Sequence, residues 1–400
     1  MTRWLPVAAM MVVTIISYID RNTLALLAPT ILKQTGMNAE QFGFVVSAYS
    51  ITFMVANLLW GRLLDRVGLR WGMTIAVALW SLASVAHSWA AGFAGFFVAR
   101  AALGLGEGAA SPGGLRAVTQ TLDDSRRARG IAMAYSGGSA GAILTPILMT
   151  PIALRFGWRG AFWATGILGT AWIVGWLVLS RRADLRGPSA EAKDPTGARP
   201  SLKDRRVWAF LLCYSLGALP LGFTVYSASL YLSRALGLSQ KEIGALLWIP
   251  PLGSEAGIFF WGFLMDRLAR DSAKLKVVAR LLPVVAILSL PLAALPLHRE
   301  LTGTLVQFFF AMFVASGFQL LPITYATELF SKQQSGWIGG LCTGAYGAGL
   351  AVAMPYFGKL FDARNFEAAF LIAAVIPAAG YLIWLALARE GRAGVTVDAA

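Results

Sequence analysis

The sequence predicts an all-α membrane protein with twelve transmembrane helices in two pseudo-symmetric bundles of six. Three observations lead to this prediction. Of the 400 residues, 57% are hydrophobic and only 14% are charged, whereas charged residues make up about 25% of a soluble globular chain. The apolar residues form long runs, and a short motif recurs in the two halves of the chain. The composition therefore excludes a soluble globular fold.

Twelve apolar runs are long enough to cross a bilayer, which takes about 20 residues of helix. They lie near residues 6–32, 42–61, 72–89, 93–115, 130–153, 160–180, 207–232, 243–264, 276–297, 303–326, 336–358 and 368–388. The first run is too long for the apolar region of a signal peptide, and no small-residue cleavage pattern follows it. We therefore expect it to be retained as the first span.

A polar segment separates the first six spans from the last six. The segment RRADLRGPSAEAKDPTGARPSLKDRR covers residues 181–206 and has the composition of a linker between two bundles. We therefore expect an N-terminal bundle at residues 1–180, the linker at 181–206 and a C-terminal bundle at 207–400.

An internal repeat supports this division. WGRLLDR at 60–66 returns as WGFLMDR at 261–267, in each case at the end of the second span of its half. A weaker echo relates FGWRGAFW at 156–163 to ARNFEAAF at 363–370. Two similar halves in parallel orientation are typical of transporters that work by alternating access.

The basic residues predict the orientation of the chain. The formal net charge is +14, and most of the 34 Lys and Arg residues lie in segments on the linker side of the membrane. By the positive-inside rule this side is cytoplasmic, so we expect a multi-pass protein of the inner (plasma) membrane with both termini in the cytoplasm. Because the basic residues gather in short segments between apolar runs, we interpret them as determinants of membrane topology and not as a nucleic-acid-binding surface.

The loop after the second span carries the most distinctive motif, GRLLDRVGLRWG, which begins at Gly61. Gly61 and Gly68 would let backbones approach each other closely. Asp65 would stabilise the N-terminus of a neighbouring helix or pair with Arg66 or Arg70. We expect these residues to form a latch at the cytoplasmic face; the alternative is a loop that only fixes the topology.

Five charged side chains fall well inside the predicted spans, away from the span ends. Each costs about 2.5 to 3.5 kcal/mol to insert at the middle of a membrane helix, so we expect them to face a shared aqueous cavity instead of lipid. The alternative is a set of ion pairs that only fix helix packing. The five are Asp20, Arg21, Arg100, Glu107 and Glu255.

Helix geometry predicts how four of these charges are used. Asp20 is expected beyond the middle of the first span, and because Arg21 points about 100° away from it, each needs a partner on another span. Arg100 and Glu107 are seven residues apart and therefore share one face of the fourth span. We expect Arg100 to compensate Asp20 without substrate, Arg21 to bind a substrate carboxylate and Glu107 to exchange protons.

Glu255 is the fifth intramembrane charge, and it follows Pro250, Pro251 and Gly253. These residues should break the eighth span. Two roles stay open for Glu255, which are coupling to an ion and stabilisation of the broken helix.

The motifs resemble those of a known family. The loop that begins at Gly61 and the twelve-span layout resemble the major facilitator superfamily. Within it, YIDRNTLALLAP at 18–29, RAALGLGEGAASP at 100–112 and FGWRGAFWATG at 156–166 are similar to the anion:cation symporter family, above all to its bacterial hexuronate and aldonate importers. Spinster-type lipid transporters have a similar acid and arginine in span one and a similar Arg and Glu in span four.

The resemblance implies a role for each charged residue of spans one and four. By this resemblance Asp20 and Glu107 are the protonation sites, and Arg21 engages the substrate anion. Arg100 supports the charge network, and Tyr18 contributes to the sugar-acid site.

Span seven departs from one branch of this family. Vesicular glutamate transporters carry a further arginine there, whereas residues 214–232 hold no charge. This difference argues for a substrate with one carboxylate and several hydroxyls. Each polar residue in the spans is more often a packing group than a ligand contact, but those that would bind hydroxyls include Ser139 in span five and Tyr226, Gln319 and Tyr346 in the C-terminal spans.

We therefore expect a monomeric, lipid-embedded symporter that imports a small organic anion together with protons by alternating access. The expected substrate is a sugar acid, either a hexuronate or an aldonate. The alternatives are a carrier of monocarboxylates or lysolipids, sodium in place of the proton, and a signalling protein on a transporter fold. An enzyme, a cofactor and a metal site are not expected, because the chain has two His, two Cys and no HExxH or CxxC motif.

Overall fold

The computed structural model describes residues 2–182, 185, 201–297, 300–330 and 334–388, so most of the predicted linker lies outside the described residues. This part of the chain is helical and contains no strand. A 3₁₀ segment, Leu290–Leu297, continues α10. The α-helices are α1 (Leu5–Thr35), α2 (Ala39–His87), α3 (Phe93–Glu107), α4 (Ala110–Thr121), α5 (Asp124–Leu179), α6 (Arg205–Gly217), α7 (Leu219–Arg234), α8 (Gln240–Leu246), α9 (Ile249–Leu268), α10 (Lys274–Ser289), α11 (Leu301–Leu329), α12 (Ser335–Asp362) and α13 (Phe366–Ala388).

These helices are consistent with the twelve predicted membrane crossings. Nine helical segments of the described chain are long and apolar enough to span a bilayer. Two of them, α2 and α5, each contain two crossings, because Gly68 and Gly157 have positive φ angles of 80° and 74° and turn the chain. The fourth predicted span is a further crossing, made of α3 and α4 together.

Three of the predicted spans are interrupted. The fourth, expected to be continuous, ends its first helix at Glu107 and resumes at Ala110, and the seventh is interrupted at Ala218. The eighth span breaks between α8 and α9, as predicted. Pro250 and Pro251 lie in the first turn of α9, where a missing N–H costs little because that group has no partner within the helix.

The chain divides into two compact units. Unit 1 contains the described residues of Met1–Ala192, Tyr226–Trp248 and Ala351–Asp362, and unit 2 those of Lys193–Val225, Ile249–Leu350 and Ala363–Ala400. Two short segments of the C-terminal half, from α7 to α8 and at the end of α12, therefore pack in unit 1. The predicted domain boundaries stay a prediction.

Close helix packing in unit 1 joins two pairs of helices. A Cβ at Gly104 of α3 would stand 2.6 Å from the carbonyl oxygen of Tyr49 in α2, and one at Gly141 of α5 would stand 2.6 Å from that of Ile15 in α1. Only glycine allows backbones to approach this closely. The end of α3 is therefore held against α2, and the middle of α1 is held against α5.

The internal repeat has a structural counterpart. The indole Nε1 of Trp60 donates a hydrogen bond of 2.7 Å to the carbonyl oxygen of Leu105. The indole of Trp261 donates one of 2.9 Å to the carbonyl oxygen of Phe313. Each bond joins the second span of its half to the fourth.

At one end of unit 1, the carboxylate of Asp362 in α12 caps the N-terminus of α2. Its two oxygens accept hydrogen bonds of 2.9 Å from the backbone N–H groups of Ala39 and Glu40. Arg234 at the end of α7 donates to Asp362 Oδ1 at 3.1 Å. Asn38 and Gln41 complete the cap with a reciprocal pair of hydrogen bonds, so the first turn of α2 is fully satisfied.

Below this cap, α2 and α12 continue in close contact. A Cβ at Gly43 would stand 2.6 Å from Cα of Pro355, and one at Gly358 would stand 2.7 Å from Cα of Glu40. One turn after Gly43, the hydroxyl of Ser47 donates to the carbonyl oxygen of Ala351 at 2.6 Å. Small residues and polar bonds therefore form this contact.

Candidate functional site

The four charged residues of α1 and α3 lie inside unit 1. Asp20, Arg100 and Glu107 are buried, whereas the side chain of Arg21 is 19% exposed. Asp20 lies at the middle of α1, which extends to Thr35, and its depth in the membrane stays a prediction. Arg100 and Glu107 share one face of α3, as predicted.

Arg21 pairs with Glu107 across the contact of α1 with α3. The distance from Arg21 Nη2 to Glu107 Oε2 is 3.4 Å. The same carboxylate oxygen accepts a hydrogen bond of 2.5 Å from the hydroxyl of Tyr49 in α2. Glu107 Oε1 has no hydrogen-bond partner among the described residues. Arg21 is therefore engaged by an acid of the protein in this structure.

Three aromatic rings surround the guanidinium of Arg21. Its Cζ lies 4.6 Å from the ring centroid of Tyr18, 4.9 Å from that of Phe53 and 5.0 Å from that of Tyr49. Cation–π contacts stabilise the positive charge without an anion. Arg21 Nε is buried and has no hydrogen-bond partner in the part of the chain that the structure describes.

Arg100 hydrogen-bonds the backbone of α1 and not the Asp20 carboxylate, with which it interacts electrostatically; its role in compensating Asp20 stays a prediction. Its Nη2 donates to the carbonyl oxygen of Arg21 at 3.3 Å and to that of Asp20 at 3.5 Å. The reason is the direction of the Asp20 side chain, which is hydrogen-bonded to Ser84 in α2. Arg100 therefore fixes α3 to the middle of α1, close to both acids.

The carboxylate of Asp20 is held by hydroxyl groups. The hydroxyl of Ser84 in α2 and Asp20 Oδ1 share a short hydrogen bond. The Oγ of Ser84 lies 2.6 Å from Oγ1 of Thr165 in α5. Asp20 Oδ2 has no hydrogen-bond partner among the residues described. Asp20 is thus buried on hydroxyls, as a carboxyl that is able to carry a proton would be.

Two tyrosines predicted for the site lie next to the charges. Tyr18 packs against α5, where a Cβ at Gly138 would stand 2.9 Å from its ring. Tyr226 comes from α7 but belongs to unit 1, is buried, and interacts electrostatically with Arg21 and Arg100. Unit 1 therefore offers two phenol groups beside the arginines.

The other predicted substrate and coupling residues lie elsewhere in the fold. Ser139 is half-buried in α5 of unit 1. Gln319, Tyr346 and Glu255 are half-buried in unit 2, where the ring of Tyr346 packs edge to face on that of Tyr214 at 6.4 Å. Their roles in binding or coupling stay predictions.

The motif that begins at Gly61 forms a different ion pair from the expected one. Asp65 Oδ1 accepts from Nη1 of Arg116 in α4 at 2.8 Å, not from Arg66 or Arg70. Arg66 is exposed. The turn at Gly68 directs the following helix away, so α4 presents the basic partner to Asp65.

Two other residues of this motif also differ in use. Arg70 donates from Nη1 to the carbonyl oxygen of Ser180 at 3.5 Å, at the end of α5. No heavy atom lies within 4 Å of the Cβ position at Gly61 in the described structure, so Gly61 mediates no close approach here. Gly68 instead supplies the positive φ of the turn. The latch function of the motif stays a prediction.

Sequence reasoning missed four residues that contact the charged groups, namely Tyr49, Phe53, Ser84 and Thr165. All four are ordinary polar or aromatic residues inside apolar spans, where most such residues only pack helices. The available signal was weak: Ser81 and Ser84 make a short polar stripe on α2.

Comparison with known proteins agrees with this architecture. Residues 10–336 match the family described as "Major Facilitator Superfamily". The hexuronate transporter of Escherichia coli (strain K12) is 26% identical over 97% of this chain and 94% of its own length. The galacturonate transporter of Dickeya chrysanthemi is 27% identical over 66% and 81%, respectively. The D-galactonate transporter of Escherichia coli O6:H1 is 25% identical over 97% and 96%.

Solved structures share the fold at low sequence identity. A bacterial homologue of the human lysosomal transporter Spinster, in an inward-facing and unoccupied conformation, superposes with a TM-score of 0.80 at 15% identity and covers 97% of both chains. A nucleoside transporter gives a TM-score of 0.76 at 12% identity, over 96% of this chain and 99% of its own. At these identities the likeness concerns the fold alone.

Proposed function

The chain belongs to the major facilitator superfamily, whose members are membrane transporters and not enzymes, and we propose that it imports a sugar acid together with protons. The proposed substrates are hexuronates and aldonates. The proposed mechanism is alternating access in the inner membrane, with both termini in the cytoplasm. Three curated relatives support the substrate class, because their names are hexuronate, galacturonate and D-galactonate transporter.

One observation carries the proposal, which is the contact of Arg21 with Glu107. Arg21 is the partly exposed member of the cluster, and its planar guanidinium is the side chain best suited to a carboxylate. Its partner Glu107 is fully buried. A substrate carboxylate would therefore compete with Glu107 for the same cation.

Charge balance links this competition to protons. With both acids ionised, Asp20, Glu107, Arg21 and Arg100 have a formal net charge of zero. Protonation of Glu107 removes one negative charge and releases Arg21 from its ion pair. Because an unbalanced charge in a buried site is costly, the carboxylate of the substrate is then favoured at Arg21. One proton and one monoanion thus enter the site together, and Asp20 provides a second position for a proton.

The test is uptake into vesicles that contain the purified protein. Labelled galacturonate, glucuronate and galactonate are added with an imposed inward proton gradient, and glucose serves as the neutral control. We expect the gradient to drive accumulation of at least one acid and not of glucose. Accumulation that ignores the proton gradient but follows a sodium gradient would overturn the proton coupling, and transport of a lysolipid in place of any sugar acid would overturn the substrate class.

Two variants test whether Asp20 and Glu107 bind the protons that drive transport. Asp20→Asn and Glu107→Gln should abolish accumulation against a gradient while the protein still folds, because neither amide releases a proton. Asp271→Asn and Glu367→Gln are matched controls at exposed positions and should behave like the parent. If both buried variants accumulate substrate normally, Asp20 and Glu107 are not the protonation sites.

A further inference from the structure

Asp20 stands at one end of a chain of hydroxyl groups that crosses from α1 through α2 to α5. Asp20 Oδ1 contacts Ser84 Oγ, and Ser84 Oγ lies 2.6 Å from Thr165 Oγ1. Thr165 Oγ1 in turn lies 3.0 Å from the carbonyl oxygen of Phe162. Asp20, Ser84 and Thr165 are all buried, and no more than 2% of each residue is exposed.

Counting protons along this chain gives an unexpected result. The three contacts need three protons, one for each hydrogen bond, but the hydroxyls of Ser84 and Thr165 supply only two. The carbonyl oxygen of Phe162 has none to give. A third proton on Asp20 completes the chain, so that Asp20 donates to Ser84, Ser84 to Thr165, and Thr165 to Phe162.

The ionised form of Asp20 reverses the direction of the chain. Ser84 must then donate to the carboxylate, so Thr165 must donate to Ser84. The contact of Thr165 with Phe162 is lost, but that carbonyl oxygen lies within α5 and keeps its place in the helix ladder. Rotation of two hydroxyl groups is sufficient for the change, and neither state leaves a hydroxyl unpaired.

The proton has one favourable position on the carboxyl. Asp20 Oδ2 has no hydrogen-bond partner in the described part of the chain, so a proton placed there would be a buried donor without an acceptor. Such a group costs about 1 to 3 kcal/mol. A proton on Oδ1 has Ser84 as its acceptor.

The charged and titratable groups around Asp20 come from three helices. Glu107 and Arg100 act on it from α3, and Arg21 is its neighbour in α1. On α2, buried His87 interacts with Arg100 and contacts the carbonyl oxygen of Ala83 through Nδ1 at 2.7 Å. From α5, Thr165 is the group in contact. Changes confined to the hydroxyls leave all of these charges in place.

We infer that Ser84 and Thr165 are positioning residues that set the proton affinity of Asp20 by forming a reversible hydroxyl chain. The inference rests on the proposed function in one respect, which is that Asp20 exchanges a proton. It adds the residues that allow the exchange inside a buried helix contact.

The chain predicts opposite effects for its two members. Ser84→Ala removes a bond that is stronger to the ionised carboxylate than to the acid, so Asp20 should keep its proton to a higher pH. Thr165→Val removes two bonds from the protonated form and one from the ionised form, so Asp20 should lose its proton at a lower pH. We expect a shift of about 0.5 to 1 pH unit for Ser84→Ala and a smaller one for Thr165→Val.

The experiment follows the carboxylic acid C=O band of the full-length protein by infrared difference spectroscopy during a pH titration. The band of Asp20 is the one that Asp20→Asn removes. No substrate is added, so the outcome is independent of what the protein transports. A failed uptake assay with a normal titration would refute the proposed function and leave the hydroxyl chain intact.

Matched variants separate the chain from general packing effects. Ser81→Ala removes a buried hydroxyl one turn earlier on α2 that has no hydrogen-bond partner among the described residues, and Thr165→Ser keeps the hydroxyl. Both should titrate like the parent. Shifts of Ser84→Ala and Thr165→Val in the same direction, equal shifts in Ser81→Ala, or an Asp20 band that never titrates would each overturn the inference. If Ser84→Ala fails to fold, the comparison of Thr165→Val with Thr165→Ser decides.

Discussion

The two halves of the chain share a hydrogen bond between helices but differ in the groups that their buried serine hydroxyls bind. Trp60 and Trp261 make the same indole bond between second and fourth spans. In unit 1 the buried hydroxyl of Ser84 serves an acid. In unit 2 the hydroxyls of Ser215 and Ser289 donate to the backbone carbonyl oxygens of neighbouring helices, at 2.6 and 2.9 Å.

This difference indicates that the helices of the fold can pack without the intramembrane charges. A serine that donates to a carbonyl oxygen joins two helices at little cost, whereas each intramembrane charge costs several kcal/mol. Four such charges lie well inside the predicted spans of the N-terminal half, and one, Glu255, lies inside those of the C-terminal half, so the charged groups are concentrated in one half. The comparison is open to three tests.

The largest effect is expected at Arg21, which has no counterpart in span seven. Arg21→Ala should weaken sugar-acid binding by about 2 to 5 kcal/mol, because the substrate charge would be left uncompensated in a partly dry site. Arg21→Lys keeps the charge but loses the planar fork, so a several-fold loss is expected. Calorimetric titration with glucuronate, galacturonate and galactonate measures both.

The control for this titration is Arg62→Ala, since Arg62 is exposed in α2 and should bind like the parent. Glucose should bind neither parent nor variant. Unchanged affinity in Arg21→Ala would remove Arg21 from the site and leave Arg100 as the anion-binding arginine.

An intermediate effect is expected at the indole hydrogen bonds of Trp60 and Trp261. Trp60→Phe and Trp261→Phe should each lower the free energy of unfolding by about 0.5 to 1.5 kcal/mol through the lost hydrogen bond, with a further loss from the smaller ring. Thermal unfolding in detergent measures both losses. Trp89→Phe, at a side chain that is 70% exposed, is the control. If only one of the two buried variants loses stability, the two indole hydrogen bonds are not equivalent.

The smallest effect concerns the turn before the last span of each half. Gly157 has a φ of 74°, and its counterpart in the repeat, Arg364, has a φ of 54° and is the one non-glycine residue with positive φ in the described chain. Replacing it by glycine relieves about 1 kcal/mol of backbone strain but adds unfolded-state entropy. Arg364→Gly should therefore raise the melting temperature slightly. A clear decrease would mean that the arginine side chain makes a contribution larger than the strain.

The sequence was sufficient to predict the spans, because membrane insertion depends on the summed apolarity of about 20 residues. It was also sufficient to select Asp20, Arg21, Arg100 and Glu107, because charge in such a run is rare. It did not give their pairing. Whether an acid meets an arginine or a serine depends on the rotation of α1 against α2, which is set by contacts between residues far apart in the chain.

The same limit explains the other differences. The partner of Asp65 is on α4, 51 residues further along the chain, and nothing in the local motif identifies Arg116. The interruption after Glu107 lies in a run of small residues that is apolar throughout, so hydropathy could not locate it. The echo of Gly157 at Arg364 was visible in the sequence, but its shared φ was not.

The composition of the cap on α2 by Asp362 affects how easily α2 and α12 separate. The contact between α2 and α12 is made of N–H groups, a carboxylate, an arginine and small residues. Each polar group in it would find an equal partner in water, and glycine surfaces gain little from leaving water. Separation of the two helices at this end therefore changes the free energy little in either direction. A contact of this kind has a close geometry and a shallow energy well, as the proposed alternating access would require of two helices that separate and meet again.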